Sequence, residues 1–405
     1  MVPEKRIPEK KAEGTLAINF ADQNDRVACI RVIGVGGAGG NAVNRMVEDN
    51  LVGVDFISIN TDRQSLDQNR APYRIQIGKN LTKGLGAGGN PEMGRKAIEE
   101  NKDAVIEALS ETDMVFITCG MGGGTGTGAA PVVAEIARDL GALTVGIVTK
   151  PFVFEGAKRM ERAEKGIREL KDNVDTLIVV PNQKLISLVP KETPLNEAFL
   201  VADGILLHAT RGISDIINIP GLVNVDFAYV RTVMSQMGDA LLGSAVASGE
   251  NRAKEAAEQA ISSPLIEDVS ILGALGVLVN ITGGKDLNIN DISEATSVIH
   301  DASGSDANII FGAVQDDSMN GNLRVTVIAT GFHKDGIREK LFKPKERQVV
   351  AESPAREENV PIYKEFSQEV LTRVFGDDYV QELDYSLVPG DSDRNVPAFL
   401  RKQPE

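Results

Sequence analysis

The sequence predicts an α/β fold: a doubly wound, mostly parallel sheet, then a long central helix, a second α+β domain and a disordered C-terminal tail. Three observations carry this. Short apolar runs alternate with helical stretches from Arg26 to about Lys191, the pattern of strands joined by crossover helices. Glycine-rich turns follow two of those runs, Gly34–Gly40 after Ala28–Ile33 and Gly122–Gly128 after Met114–Cys119. Beyond Gly331 the composition shifts to Lys, Glu, Asp and Pro with scattered apolar residues, too little apolar surface for a core.

Residues 1–22 mix Lys, Arg, Glu and Pro and read as a disordered arm; they hold no apolar stretch of the kind that directs secretion. Residues 23–192 form the first domain, with strands expected at Ala28–Val35, Val54–Asn60, Met114–Thr118, Leu143–Thr149 and Thr176–Pro181. Ligands of such sheets bind at the strand C-terminal ends, where both glycine turns fall. Residues 193–217 form one long helix, because Leu195, Phe199, Ala202, Leu206, Ala209, Ile213 and Ile216 recur at helical spacing. Asp203 lies beside that stripe, and a carboxylate buried there needs a partner. Residues 218–332 alternate helices (Phe227–Leu242, Arg252–Ser262, Ile289–Ala302) with strands (Gly276–Thr282, Leu323–Ala329) and make the second domain. Residues 333–393 read as a flexible linker with a transient helix near Phe366–Phe375, and residues 394–405 as an apolar-basic docking peptide.

Composition excludes several classes. The 405 residues are 42% hydrophobic but 4% aromatic, contain no Trp, and carry a net charge of −15. A general nucleic-acid binder wants a clustered basic face, and an acidic chain is repelled by anionic lipid unless a basic segment intervenes. No run of 18 apolar residues exists, so no membrane-spanning segment is expected. Cys29 and Cys119 both sit in apolar, strand-like runs, which suggests buried thiols in a reducing compartment. A cytoplasmic protein is the expectation.

The glycine turns carry the chemistry. Glycine tolerates positive φ and lets backbone N–H groups converge on an oxyanion. Each turn runs into a helical segment, whose first amides and dipole favour phosphate. Thr125 and Thr127 add hydroxyls to the second turn, and a third segment, Gly84–Pro91, precedes another helix. A connector explains one such loop more easily than three. Gly34-x-Gly36-x-x-Gly39 also fits the dinucleotide fingerprint, with Asp55 or Asp62 as the ribose acid. A nicotinamide enzyme, however, leaves Gly122–Gly128 unexplained, and His208, His300 and His333 show no catalytic setting. No Gly-Lys-Ser/Thr follows any of the loops, so this is not a P-loop protein.

Gly122–Gly128 resembles the tubulin-type signature. Gly34–Asn41, Asn60-Thr61-Asp62, Gly84–Pro91, Pro151-Phe152-x-x-Glu155-Gly156 and Gly221–Asp226 follow in order. Together they make the chain resemble the tubulin/FtsZ GTPase family, in its bacterial cell-division branch, from about Arg26 to Phe332 and again in the Pro397–Arg401 tail. The resemblance implies a tubulin-like fold binding GTP or GDP with Mg2+. Gly37, Ala38, Gly39, Gly40 and Asn41, with Gly124, Thr125 and Gly126, would surround the phosphates, Asn41 reaching toward the base. Ala87, Gly88 and Gly89 would sense the γ-phosphate and Asp62 would lie near the magnesium waters. Thr149, Glu155 and Arg159 would line the ribose side, and Asn182, Phe199 and Asp203 would hold the guanine. The chemistry of Asp203 supports this independently: guanine offers N1–H and an amine as adjacent donors to one carboxylate, whereas adenine presents a bare acceptor there.

The resemblance also implies that Asn224 and Asp226 enter the next subunit's site, so that head-to-tail copies form an open filament and hydrolysis follows assembly. One departure stands out: the family's second loop acid is Tyr229 here. A phenol with an ordinary pKa of about 10 is a poor base near neutrality, so slower turnover is expected than for a Tyr229→Asp version. A GTP-binding scaffold with weak or absent hydrolysis is the alternative. Another is a soluble nucleotide-dependent oxidoreductase or small-molecule kinase, which needs a substrate constellation that the second domain does not offer. Pro397, Phe399, Leu400 and Arg401 would dock membrane-tethering adaptors and division regulators, with Asn395 where the family usually has Asp. The membrane would be reached only indirectly, at the mid-cell division ring.

Overall fold

The computed structural model describes residues 28–332, apart from 187–189, 191–192, 220, 224, 236–237 and 264–269. The first half runs β1 (Ile30–Val35), α1 (Gly36–Glu48), β2 (Asp55–Asn60), α2 (Arg63–Asp67), β3 (Tyr73–Gln76), α3 (Lys79–Thr82), α4 (Pro91–Glu100), α5 (Lys102–Leu109), β4 (Met114–Gly120), α6 (Thr125–Asp139), β5 (Leu143–Lys150), α7 (Ala157–Lys171) and β6 (Thr176–Pro181). These six strands pair in parallel in the order β3-β2-β1-β4-β5-β6. Because β1 has β2 on one side and β4 on the other, the winding reverses between β1 and β4, which opens a crevice at the strand C-terminal ends.

The sheet is covered on both faces, as a parallel sheet requires. Ala42, Val43 and Met46 of α1 share one core layer with Ala202, Leu206 and Ile213 of α9 (Leu195–Asn218). On the other face Ala97 and Ile98 of α4, Ala129 to Ala137 of α6, and Ala163 and Leu170 of α7 form a second layer. Short α8 (Asn182–Leu185) leads from β6 toward α9.

The second half contains α10 (Phe227–Met234), β7 (Gly238–Ser248), α11 (Arg252–Ile261), β8 (Gly276–Gly283), α12 (Ile289–Ser303), β9 (Asn308–Gln315) and β10 (Asn322–Thr330). Its strands continue the sheet as β7-β10-β8-β9, so that ten strands form one sheet. The junction is a three-residue parallel pairing of Thr176–Ile178 with Gly238–Ala240, beside a Lys171–Asp239 ion pair of 2.6 Å.

Most expected elements fall within a residue or two of their positions. The expected helix Phe227–Leu242 is a correction: α10 stops at Met234 and Gly238–Leu242 opens β7. The eight-residue antiparallel ladder of β7 with β10 supplies a non-local partner that outweighs local helix propensity. Strands β3 and β9 were not expected, being a short edge strand and a run without clear alternation. Cys29 is a second correction: it precedes β1 and is only half-buried, its N–H donating to the Asp113 carboxylate at 2.8 Å. Cys119 is buried within β4, where burial pushes its thiol up to about 12. The expected arm, linker and docking peptide lie outside the described residues. Among the described residues no helix is long and apolar enough to cross a membrane.

Candidate nucleotide site

The crevice is built where β1 and β4 end side by side, Val35 opposite Cys119. Helix α1 begins at once at Gly36, whose φ of +75° no L side chain favours. A Cβ there would sit 2.9 Å from the Gly126 amide nitrogen, and one on Gly39 would sit 2.4 Å from the Thr118 carbonyl oxygen. The two turns therefore touch, backbone to backbone, and present the amides of two helix starts to one space. Gly37, by contrast, has open space around its Cα. The threonines brace the loops instead of lining them: both are buried, Thr125 Oγ1 lies 2.7 Å from Thr61 Oγ1, and Thr127 Oγ1 accepts from the Gly122 N–H at 2.8 Å.

The third loop seats on the second. A Cβ on Gly124 would meet the Ala87 Cβ at 2.8 Å and the Asn90 nitrogen at 2.9 Å. Gly88 and Gly89 hold positive φ, and Gly88 faces open space. Asp62 bridges to Leu85 and caps α2 by accepting from the Ser65 N–H at 3.2 Å. Gly89, Gly122, Gly123, Gly124, Glu155 and Gly156 line a cleft of about 570 Å³ together with Lys158, Arg159 and Arg162. Three cations facing glycine amides suit a polyanion. Glu155 is satisfied locally, accepting from the Phe152 N–H at 2.8 Å and pairing with Arg159 at 3.0 Å. Thr149, buried at the end of β5, fixes the turn through its carbonyl, which accepts from the Met121 N–H at 2.9 Å.

Beyond α7, the first turns of α9 and the short α8 offer a flat, aromatic, acidic corner. The Phe199 ring stands edge-on to Phe152 at 5.5 Å, and Phe152 stacks on Phe154 at 5.0 Å. Asn182 is 5% exposed and its Oδ1 has no hydrogen-bond partner, an acceptor that wants a donor. Burial pushes the Asp203 carboxyl up to about 7, against the lowering effect of Arg45 on α1. Asn41 is exposed on α1, the helix that packs against α9, and Gly40 packs toward Asn69, which donates to the Gly40 carbonyl at 2.9 Å. Ala38 sits over Gly120.

A magnesium ion held mostly by phosphate oxygens and water needs few protein oxygens, and the half-buried Asp62, with one carboxylate oxygen capping α2, keeps its other oxygen for such a water. His208 on α9 is held neutral, pushed down to about 4 by burial and by Arg324 and Arg211.

The acidic loop lies elsewhere. Helix α9 has 24 residues, about 36 Å, and runs from the corner just described to the opposite edge of the sheet. There Arg211 pairs with Asp49 at the end of α1, and Asn218 donates to the Gly53 carbonyl, just ahead of β2, at 2.7 Å. Leu222 is tied to Ala313 of β9 by a 2.9 Å backbone bond. Asp226 caps α10, accepting from the Ala228 N–H at 3.1 Å, and Tyr229 in the first turn is 63% exposed. Arg231 donates to the Gly141 carbonyl, just ahead of β5, at 2.8 Å. Within one chain, then, Asp226 and Tyr229 stand at the strand N-terminal edge and the glycine loops at the C-terminal edge. Asn224 and the Pro397, Phe399, Leu400 and Arg401 peptide lie outside the described residues.

Lys158 and Arg162 were not among the residues expected from sequence. Their signal was present: four apart after Gly156, they share one face of the first turns of α7.

Converging amides of two helix starts at the switch point of a parallel sheet define an α/β protein of the phosphate-cradling, nucleotide-binding class. Residues 29–190 match the Tubulin/FtsZ family GTPase domain and residues 238–333 the FtsZ family C-terminal domain. The empty FtsZ dimer of M. jannaschii is 46% identical, with a TM-score of 0.73 over 75% of this chain and 88% of that one. The chain belongs to the FtsZ family of tubulin/FtsZ GTPases. Two Haloferax volcanii structures share its fold: a GDP-bound CetZ1 monomer (23% identity, TM-score 0.67, 77% and 97% coverage) and a GTPγS-bound CetZ2 protofilament (21%, 0.64, 77% and 96%).

Proposed function

We propose that this chain is a GTP-dependent, self-assembling filament protein of the cell-division ring, hydrolysing GTP to GDP and phosphate between head-to-tail subunits. The observation that supports this best is the placement of Asp226 and the glycine cleft at opposite edges of one chain. A group that far from its own cleft acts on phosphate only in another copy's cleft. Stacking copies edge to edge joins unlike surfaces, and without ring closure that gives an open filament.

In this reading Asn182, Phe199 and Asp203 take the guanine, Glu155, Arg159 and Thr149 flank the ribose, and the amides of Gly37–Gly40 and Gly124–Gly126 cradle the phosphates. Asn41 reaches toward the base from α1. The Gly84–Asn90 loop meets the γ-phosphate. Mg2+ held through water by Asp62 would neutralise phosphate charge. The incoming Asp226, with Asn224, orients the attacking water at the neighbour's γ-phosphate. Assembly thus completes the site, and loss of the γ-phosphate weakens the contact. The Pro397–Arg401 peptide links the filament to membrane-tethering adaptors and division regulators at mid-cell, in the cytoplasm.

A second reading, a GTP-binding scaffold with weak hydrolysis, is favoured by the exposed Tyr229 where the family has an acid. One experiment tests the main reading: phosphate release per subunit is measured against protein concentration, alongside mixtures of Asp226→Ala and a Gly124→Val variant built to block the cleft. The reading expects a critical concentration, and recovery of turnover when the two variants are mixed, since each supplies what the other lacks. Constant activity per molecule down to dilute protein would overturn it. Binding of GTP without turnover at any concentration selects the scaffold.

A further inference from the structure

The GTP reading gives Arg159 a place at the ribose but leaves Lys158 and Arg162 of the cleft without a role, and of these two Arg162 also holds a loop. It lies on α7, one turn beyond Arg159, and donates from Nη1 to the Gly89 carbonyl and from Nε to the Lys158 carbonyl at 3.2 Å. Arg159 is paired with Glu155; among the described residues no carboxylate forms an ion pair with Arg162. The Gly89–Asn90 peptide is thereby held at both ends, since the Asn90 N–H donates to the Ala87 carbonyl at 3.0 Å. Gly86, Gly88 and Gly89 all adopt positive φ, so this loop has little stiffness of its own and takes its shape from what grips it. Its first residues are held at Asp62 and Arg63, and its far end by Gly124, on which Ala87 and Asn90 rest, and by Arg162.

The layout of the sheet says which part of a nucleotide this end would meet. The base corner belongs to α8 and α9, on the face covered by α1 and α9. Gly89 and Arg162 lie on the other face, that of α4, α6 and α7. A nucleotide anchored at Asp203 crosses the sheet edge over the two glycine turns and reaches Gly89 and Arg162 last.

We propose that Arg162 determines specificity for the terminal phosphate: it latches the Gly84–Asn90 loop across the cleft and places a guanidinium where a third phosphate, but not a second, would sit. This rests on the GTP reading. A guanidinium fork on phosphate is a strong, oriented hydrogen bond, and losing one charged bond costs about tenfold to a hundredfold in affinity.

The test is direct binding of GDP and of a slowly hydrolysed GTP analogue to the full chain, wild type, Arg162→Gln and Arg162→Lys, below any assembly threshold. The expected result is a triphosphate affinity about tenfold or more weaker in Arg162→Gln with GDP affinity within about twofold of wild type. Arg162→Lys, which keeps the charge but loses the fork, should fall between them. Equal weakening of both nucleotides, or of neither, overturns the proposal. Wild-type protein that binds neither nucleotide would instead sink the GTP reading itself. Folding of each variant is checked by circular dichroism, and Arg162→Lys carries the test if Arg162→Gln does not fold.

Discussion

Replacing Asp203 with Asn tests the proposed base recognition separately from the rest of the cleft. In the nucleotide-free protein burial holds this carboxyl up to about 7 rather than 3.8. In full that difference is worth about 4 kcal/mol at pH well above 7, discounted to about 2 kcal/mol because water reaches a half-buried carboxyl. The sign follows from the direction: the folded state prefers the neutral acid, so this group destabilises the free protein above about pH 7 and the penalty fades as pH falls from 7 toward 4. Asp203→Asn removes that penalty, so the nucleotide-free variant should melt a few degrees higher at pH 8. Guanine binding has the opposite need. Its N1–H and amine both donate to an ionised carboxylate, whereas Asn offers one acceptor and one donor. GTP affinity should therefore drop by about tenfold to a hundredfold, while xanthosine triphosphate, with oxygen in place of the amine, gains. Wild-type affinity for GTP should also weaken below pH 7, approaching about tenfold per unit, and the Asn variant should lack that dependence. Fluorescent-nucleotide titrations from pH 5.5 to 8.5 read all of this. Unchanged GTP affinity in Asp203→Asn, or the same pH profile in both proteins, would refute the reasoning.

Three further outcomes follow from other parts of the molecule. Tyr229→Asp should raise phosphate release per assembled subunit while leaving GTP affinity within about twofold; equal turnover in the two proteins argues that the phenol is no handicap. Gly128→Ala should destabilise by about 2 kcal/mol despite better helix propensity, because its Cβ would lie 1.9 Å from the Pro91 carbonyl oxygen where α4 crosses α6; urea unfolding checks it. Arg252→Met should cost about 3 kcal/mol, since Arg252 holds the Asp291 carboxylate at 2.7 Å with both side chains under 10% exposed and removal strands a buried charge. Adding Asp291→Asn should recover part of that loss in the same assay.

Local chemistry made much of this protein legible in its sequence. Period and punctuation placed β1, β2, β4, β5, β6 and α9, because apolar spacing and glycine at strand ends are written within a few residues. The same holds for Asp203, whose place beside an apolar stripe marks a carboxylate in need of donors. Strands β7 and β9 were hidden because a strand exists only with its partner: β7 pairs with β10, about eighty residues away. Arg162 carried a local cue in its spacing from Lys158, but its hold on the Gly89 carbonyl, 73 residues earlier, exists only in the fold.

What the chain's order of residues determined alone was the kit: three glycine loops, a carboxylate beside an apolar helix stripe, an acidic turn after a long helix. That the acid and the phosphate cradle face opposite ways was decided by packing. Helix α9 buries its apolar stripe against α1 and the sheet and, being rigid, carries its two ends to opposite edges of the sheet. Rigid separation of complementary halves is a property of assembled surfaces, which no local stretch of sequence encodes.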